Sequence, residues 1–262
     1  MRVRHVLVAL LAAGLTVSSA PPLRATEAAP TRSATAVHAA PGAPLLLAAP
    51  ARPRISVNAP GPAGSKRGTG KRAVALTFDD GPDPVYTPKL LDVLKAHRVK
   101  ATFCVVGHRV RDNKKLVARI AREGHTLCNH SWQHLHDLGK RPDKYLLRDL
   151  EATNEQIRKA VPGAKIKYFR APYGNFSWRL NGFAKQLGMT PIYWDVDDQC
   201  YLTKKYGNGT RMVNHMVTTV QRNTRRGSIV LGHDNLKPTT IRAYRILLPW
   251  LKKRFTLIAL PA

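Results

Sequence analysis

Residues 73–82 read Ala-Val-Ala-Leu-Thr-Phe-Asp-Asp-Gly-Pro. A short apolar strand runs into Thr77 and Phe78 and ends on two adjacent carboxylates, Asp79 and Asp80, before Gly81 and Pro82 break it. Neighbouring carboxylates repel each other, and the arrangement is costly unless a cation or strong hydrogen bonds hold it. Taken alone, such a stretch is an ordinary acidic turn. Two other stretches make it more than that. His130-Ser-Trp-Gln-His134 offers two imidazoles four residues apart, and Leu231-Gly-His233-Asp234 offers another histidine at a strand end.

Outward from residues 73–82 the pattern alternates. Helical spacing covers 89–97, 114–122, 144–161, 178–187, 212–223 and 239–252, with Ser177 as an N-cap and Gly124 and Gly188 as stops. Strand-like runs cover 101–106, 125–128, 165–169, 190–194, 228–231 and 255–260. Strict alternation implies an α/β fold with a parallel sheet and helical crossovers. The polar clusters fall just after strands: Asp79/Asp80, His130, Arg170, Asp197/Asp198 and His233. In a parallel barrel those ends share one rim, where sites are built. In an open doubly wound sheet only some would meet. The expectation is therefore a distorted (β/α) barrel of seven to eight mostly parallel strands, with its site at the C-terminal strand ends.

Residues before this domain read differently. Two arginines in the first five residues precede an apolar run, Val6–Val17, and the small residues Ser18, Ser19 and Ala20. This is the pattern of a secretory signal peptide, assigned to 1–25. The run is too short for a comfortable bilayer span, which takes about 20 apolar residues. Residues 26–70 are rich in proline and alanine, and no Phe, Trp or Tyr occurs before Phe78. Such a segment buries too little surface to offset the entropy of ordering, so it is expected to be an extended linker. The domain is expected over 71–262.

The three cysteines, Cys104, Cys128 and Cys200, leave at least one without a partner in the chain. Cys104 and Cys128 fall on consecutive expected strands, and either a disulfide or two buried thiols fits. The net charge is +27, and residues 71–262 hold 35 basic against 15 acidic residues. Such a field attracts polyanions. No nucleic-acid-binding pattern is present and the leader points outward, so anionic cell-envelope polymers are the expected counterpart rather than nucleic acid. No dinucleotide or P-loop pattern follows a strand.

The chemistry follows from residue types. His130 and His134, four apart, share one face if they lie on a helical turn. With one of the paired aspartates they make a set of two imidazoles and a carboxylate that suits Zn²⁺ with a position left open. The second carboxylate is then free to act as a base. The stretch lacks the glutamate of a zinc-protease helix.

On these motifs the sequence resembles the polysaccharide deacetylase family, carbohydrate esterase family 4, with its NodB homology domain. The motifs stand in the family's order: Thr77–Gly81, His130–His134, Arg170-Ala-Pro-Tyr-Gly174 and Leu231–His233. The resemblance covers 72–261. It implies that Asp80, His130 and His134 hold a divalent metal, Zn²⁺ or alternatively Co²⁺, and that Asp79 is the general base, paired with Arg170. It implies the backbone N–H of Tyr173 as oxyanion donor, His233 as the acid for the leaving amine, and Leu231 beside the acetyl methyl. Trp194 and Tyr201 are expected to wall the substrate groove. The implied function is a secreted N-deacetylase of N-acetylglucosamine polymers, peptidoglycan or chitin, acting as a monomer. A polysaccharide O-acetyl esterase and a non-catalytic wall-binding module are the alternatives. One motif departs from the family pattern: Cys200 and Tyr201 stand where Asp-Trp is expected after Asp197, which puts the tuning of His233 in question.

Overall fold

A computed structural model describes residues 55–262. In chain order the elements are β1 (Val74–Asp79), α1 (Tyr86–Ala96), β2 (Thr102–Val105), α2 (Gly107–Asp112), α3 (Lys114–Arg122), β3 (Thr126–Asn129), α4 (Asp143–Ala160), β4 (Tyr168–Phe169), α5 (Trp178–Gln186), β5 (Thr190–Pro191), β6 (Val196–Asp197), α6 (Thr203–Tyr206), α7 (Thr210–Asn223), β7 (Ile229–His233), α8 (Pro238–Lys252) and β8 (Leu257–Ile258). All strand pairs are parallel, in the order β5-β4-β3-β2-β1-β7-β6, with β8 also on β1. The sheet is a curled half-barrel, as the alternation predicts. Its two edge strands, β5 and β6, are consecutive in sequence, so residues 192–195 run from one edge to the other.

Every residue of β1 is buried, as a strand covered on both faces requires. Its alternation separates two environments. Val74, Leu76 and Phe78 pack into the main core with helix residues such as Leu90, Leu94 and Tyr244. Ala75 joins a smaller cluster with Cys104, Cys128, Ile192, Ile229 and Leu260, which holds no helix residue. Thr77 and Asp79 share Ala75's face by the two-residue period. Cys104 and Cys128 are register partners across β2 and β3 and form a disulfide, leaving Cys200 as a buried thiol. The helix ends follow sequence: Ser177 Oγ accepts the Leu180 N–H at 3.1 Å, and Gly124 and Gly188 take φ of 81° and 76° beyond α3 and α5.

One expectation is corrected. The domain does not begin at residue 71. Residues 55–70 lie on it: Lys66 bridges to Ile192 and Gly68 to Ser228. Lys66 N–H donates to Pro191 O at 2.9 Å, Tyr193 N–H to Lys66 O at 2.7 Å, and Thr69 N–H to Gly227 O at 2.9 Å. This strap spans the gap between the β5 side and the β7 side of the sheet. It is held by backbone groups, which need no aromatic side chains. The expected signal peptide, 1–25, and most of the expected linker lie outside the described residues. Among the described residues no helix is long and apolar enough to cross a membrane.

Candidate active site

Strand ends place the chemistry. Asp79 closes β1 and pairs with His233, which closes β7; Asn129 closes β3, immediately before His130; Arg170 follows β4. Asp80 follows β1 in the left-handed region, at φ 76°. Asp is one of the few residues that tolerate it, and such positions cluster at functional sites. Gly81 is required next, because a Cβ there would collide with the Asp234 carboxylate.

The two imidazoles do not sit on a helical turn, contrary to the reading from their spacing. Residues 130–134 form an irregular loop, with Ser131 at φ 66° and His134 at φ 57°. Side chains fix it instead. Asn129 Oδ1 accepts the Ser131 N–H at 2.9 Å, Ser131 Oγ accepts the His134 N–H at 3.0 Å, and Asp149 Oδ1, from α4, accepts the Trp132 N–H at 2.8 Å. Burial pushes the Asp149 carboxyl up to about 6.

The geometry brings Asp80, His130 and His134 together. Asp80 Oδ1 lies 3.4 Å from His130 Nε2 and 3.2 Å from His134 Nε2, and it is buried with no hydrogen-bond partner. Burial works against the charge on Asp80, but the facing His130 and His134 rings outweigh it and hold the carboxyl well below its usual range. His130 Nδ1 is 2.8 Å from Arg170 O, which can only accept, so Nδ1 carries the proton and Nε2 presents a lone pair. Two metal–ligand bonds of about 2.1 Å at a tetrahedral angle separate donor atoms by about 3.4 Å. The observed spacing, the orphaned carboxylate oxygen and the donor types fit a divalent ion.

Asp79 is held apart from this set by Arg170. The Arg170 Nη1 donates to Asp79 Oδ1 at 2.8 Å and to Thr77 Oγ1 at 2.9 Å; Nη2 donates to Tyr193 O at 3.0 Å. Arg170 is fully buried and Asp79 nearly so. Asp79 Oδ2 remains 3.6 Å from His130 Nε2. A pocket of about 350 Å³ joins Asp79, Asp80, His130 and His134 to His233, Leu231, Tyr173, Trp194 and Tyr201, and Arg170 stands against it through its bond to Asp79. Tyr173, at φ 56° in a one-turn 3-10 helix, lays its ring 4.6 Å from that of His134. Leu231 is buried beneath the pocket, and Tyr201 is half exposed at its mouth. Each residue singled out from sequence therefore lies in or against one pocket. Sequence reasoning missed Asp149, which touches the site only through Trp132 and belongs to no chemical pattern, and Lys237, which joins the lining; Thr77 stood in a quoted motif without a role, and its Oγ1 accepts from Arg170.

The departing motif resolves as follows. Cys200 is fully buried, with Sγ 3.2 Å from His233 Nδ1. Asp197 does not reach toward His233 through a hydrogen bond. Its Oδ2 accepts the Tyr201 hydroxyl at 3.0 Å and its Oδ1 the Gln199 N–H at 2.8 Å.

At its strand-end rim the parallel half-barrel gathers an Asp-His-His set that could hold a metal ion, beside an arginine-held carboxylate. The polysaccharide deacetylase family model matches residues 66–192. A chitooligosaccharide deacetylase of Sinorhizobium fredii is 38% identical over 173 residues, 66% of this chain and 77% of that protein. A peptidoglycan-N-acetylglucosamine deacetylase of Bacillus cereus is 34% identical over 188 residues, 70% of this chain and 84% of that one. The fold is also similar to that of a family 4 pseudoenzyme from Bacillus anthracis, at TM-score 0.63 and 26% identity, over 73% of this chain and 64% of that one. The chain belongs to the polysaccharide deacetylase family, carbohydrate esterase family 4. Its class is that of hydrolases of the carbon–nitrogen bond in N-acetyl groups.

Proposed function

We propose that this chain is an exported, divalent-metal-dependent deacetylase that removes N-acetyl groups from N-acetylglucosamine polymers of the peptidoglycan or chitin type. The observation that carries the reading is the convergence, in one pocket, of the Asp80–His130–His134 set, the Arg170-held Asp79 and His233. The pseudoenzyme likeness makes completeness of the set the relevant criterion, and none of these residues is missing here.

Asp80, His130 and His134 would hold the ion, with Zn²⁺ favoured by the donor set and Co²⁺ able to replace it. It would supply Lewis-acid polarisation of the acetyl carbonyl and of a water. Asp79, aimed by Arg170, accepts the proton of the attacking water. The Tyr173 N–H donates to the developing oxyanion. Leu231 fronts the acetyl methyl. His233 hands a proton to the departing nitrogen, without which an amine is a poor leaving group. Trp194 and Tyr201 offer flat apolar faces to sugar rings.

Export is supported by the Val6–Val17 run and by the Cys104–Cys128 bond, since disulfides persist in oxidising compartments. The basic surface suits retention on anionic envelope polymers, and that retention should fall as salt rises. The direct test is metal content and acetyl release, by mass spectrometry, from chitooligosaccharides, peptidoglycan fragments and acetylated xylan, for wild type and Asp79→Asn. Loss of acetyl from the first two, at least about 10²-fold slower in D79N, is expected. Release from xylan alone would replace the reading with an O-acetyl esterase. Tight glycan binding without turnover in added Zn²⁺ or Co²⁺ would replace it with a binding module.

A further inference from the structure

Behind His233 lie donor atoms that the deacetylation chemistry does not use. Cys200 Sγ is 3.2 Å from His233 Nδ1. Asp198 Oδ1 accepts the Cys200 N–H at 3.0 Å. One carboxylate oxygen of Asp198, the sulfur of Cys200 and a ring nitrogen of His233 lie within 4.8 Å of one another. Asp198 and Cys200 are fully buried, and neither lines the catalytic pocket. Asp198 Oδ2 and the Tyr244 hydroxyl are both buried here, and burial with the neighbouring Asp198 pushes the Tyr244 hydroxyl up. Both crowd the α-carbon of Gly232, where a Cβ would come within 2.8 Å of each. Glycine keeps that space free.

We propose that Asp198, Cys200 and His233 form a second site, for a soft divalent cation such as Zn²⁺ or Cd²⁺, whose occupation inhibits the enzyme. Thiolate, imidazole and carboxylate together select borderline-soft ions over Mg²⁺ or Ca²⁺, which take oxygen ligands. Bonds of about 2.3 Å to sulfur and about 2.0 Å to nitrogen, at a tetrahedral angle, separate those atoms by about 3.5 Å. The observed 3.2 Å needs an opening of only a few tenths of an ångström. Binding releases the Cys200 thiol proton to solvent. It also takes the Nδ1 lone pair of His233. The ring then keeps at most one proton, on Nε2, and cannot become the imidazolium that serves a leaving amine.

The chain has three cysteines, and two are joined, so a thiolate–metal signal reports on Cys200 alone. The test is equilibrium dialysis of the full, unreduced chain against Cd²⁺, read together with the ultraviolet thiolate-to-cadmium absorption. Wild type should take two ions per chain and show the band. Cys200→Ser should take one and lose the band. His134→Ala should also take one yet keep the band, and Asp198→Asn should bind the second ion more weakly, which keeps the test decisive if the cysteine variant does not fold. A folded wild type that takes one ion without the band, or a C200S protein that still takes two, would overturn the site. The inhibition arm rests on the proposed activity: turnover should rise with the first equivalent of Zn²⁺ and fall with the second. The binding arm does not depend on turnover, so a chain without activity still tests the site. Inhibition by Zn²⁺ that persists in C200S overturns the inhibitory role.

Discussion

Arg170 carries the most demanding consequence of the fold. Its guanidinium is sealed among Asp79 Oδ1, Thr77 Oγ1 and the carbonyls of Ile192 and Tyr193, at 2.8, 2.9, 3.4 and 3.0 Å. Methionine at this position keeps the stem but removes every donor, and leaves the Asp79 carboxylate, 2% exposed, without its partner. Removing one member of a buried ion pair costs about 3–5 kcal/mol. The two carbonyls lose donors at up to about 1 kcal/mol each, not fully additively. Each kcal/mol lowers Tm by about 2–4 °C in a domain of this size, so Arg170→Met should melt roughly 6–28 °C below wild type. Thermal unfolding followed by circular dichroism reads this directly. A second variant isolates the cause. If the penalty comes from a stranded charge, Arg170→Met combined with Asp79→Asn should recover at least about 1.5 kcal/mol relative to R170M alone. Arg170→Lys should fall in between, because one ammonium cannot reproduce a planar fork. A folded R170M within about 1 kcal/mol of wild type would place the pair among surface ion pairs and refute the account. So would a double variant no more stable than R170M.

Further outcomes follow from the same coordinates. Cys200→Asp puts a carboxylate where a thiol now faces His233 Nδ1. It should stabilise the imidazolium and carry the alkaline limb of the kcat–pH profile upward by about one unit or more, and an unmoved limb would remove Cys200 from any part in the acid's behaviour. His125 Nδ1 accepts the Ala101 N–H at 3.0 Å, and burial, with Lys100 nearby, lowers its pKa to about 4. The unfolded chain then binds the extra proton first, so this contribution is full above about pH 6.5 and is lost as pH falls toward 4, by up to about 3 kcal/mol. His125→Asn should flatten urea-unfolding stability across that window relative to wild type. Truncation to residue 70 forfeits three backbone bonds from the strap to the sheet margins. It should cost about 3 kcal/mol compared with truncation to residue 54, and equal urea midpoints for the two would return residues 55–70 to the status of a spacer.

What the sequence made legible, and what it hid, divides along a physical line. Strand ends are marked by chemistry: apolar runs stop at Asp79, Asn129, Phe169 and His233, and a parallel sheet sends those stops to one rim. Hence the convergence of one of the paired aspartates with His130 and His134 could be argued from the strand ends, and the family resemblance singled out Asp80. Conformation inside the loops leaves no such mark. The four-residue interval of His130 and His134 reads as one helical face, yet Ser131 and His134 are left-handed, as are Asp80 and Tyr173, and no periodicity encodes a positive φ. The strap was hidden for a related reason. Composition reports which side chains can be buried, whereas Lys66 and Thr69 are held through peptide groups that every residue carries. The β6 strand, two residues long, lies below the length at which alternation can be counted.

Cys200 shows how the two kinds of information combine. As text it is an interruption of the Asp197–Tyr201 stretch, equally compatible with loss of function or indifference. In space, backbone pairing with β7 fixes the neighbouring chain: Asp198 N–H donates to Leu231 O at 3.0 Å, which sets the level of residues 198–200 against β7. Two residues further along β7 stands His233, so a short side chain at position 200 must meet its ring. A sulfur there supplies contact without the fixed negative charge of a carboxylate. The neighbouring Asp198, pushed up to about 6 by burial, carries its charge only partly in the mildly acidic range. The proposed acid, His233, is thus backed by a thiol and, behind that, a buried carboxyl, whereas the proposed base, Asp79, is backed by the Arg170 guanidinium. The proposed base and acid are consequently supported by unlike means, and the His233 side is where changes of pH or of soft-metal supply should act first.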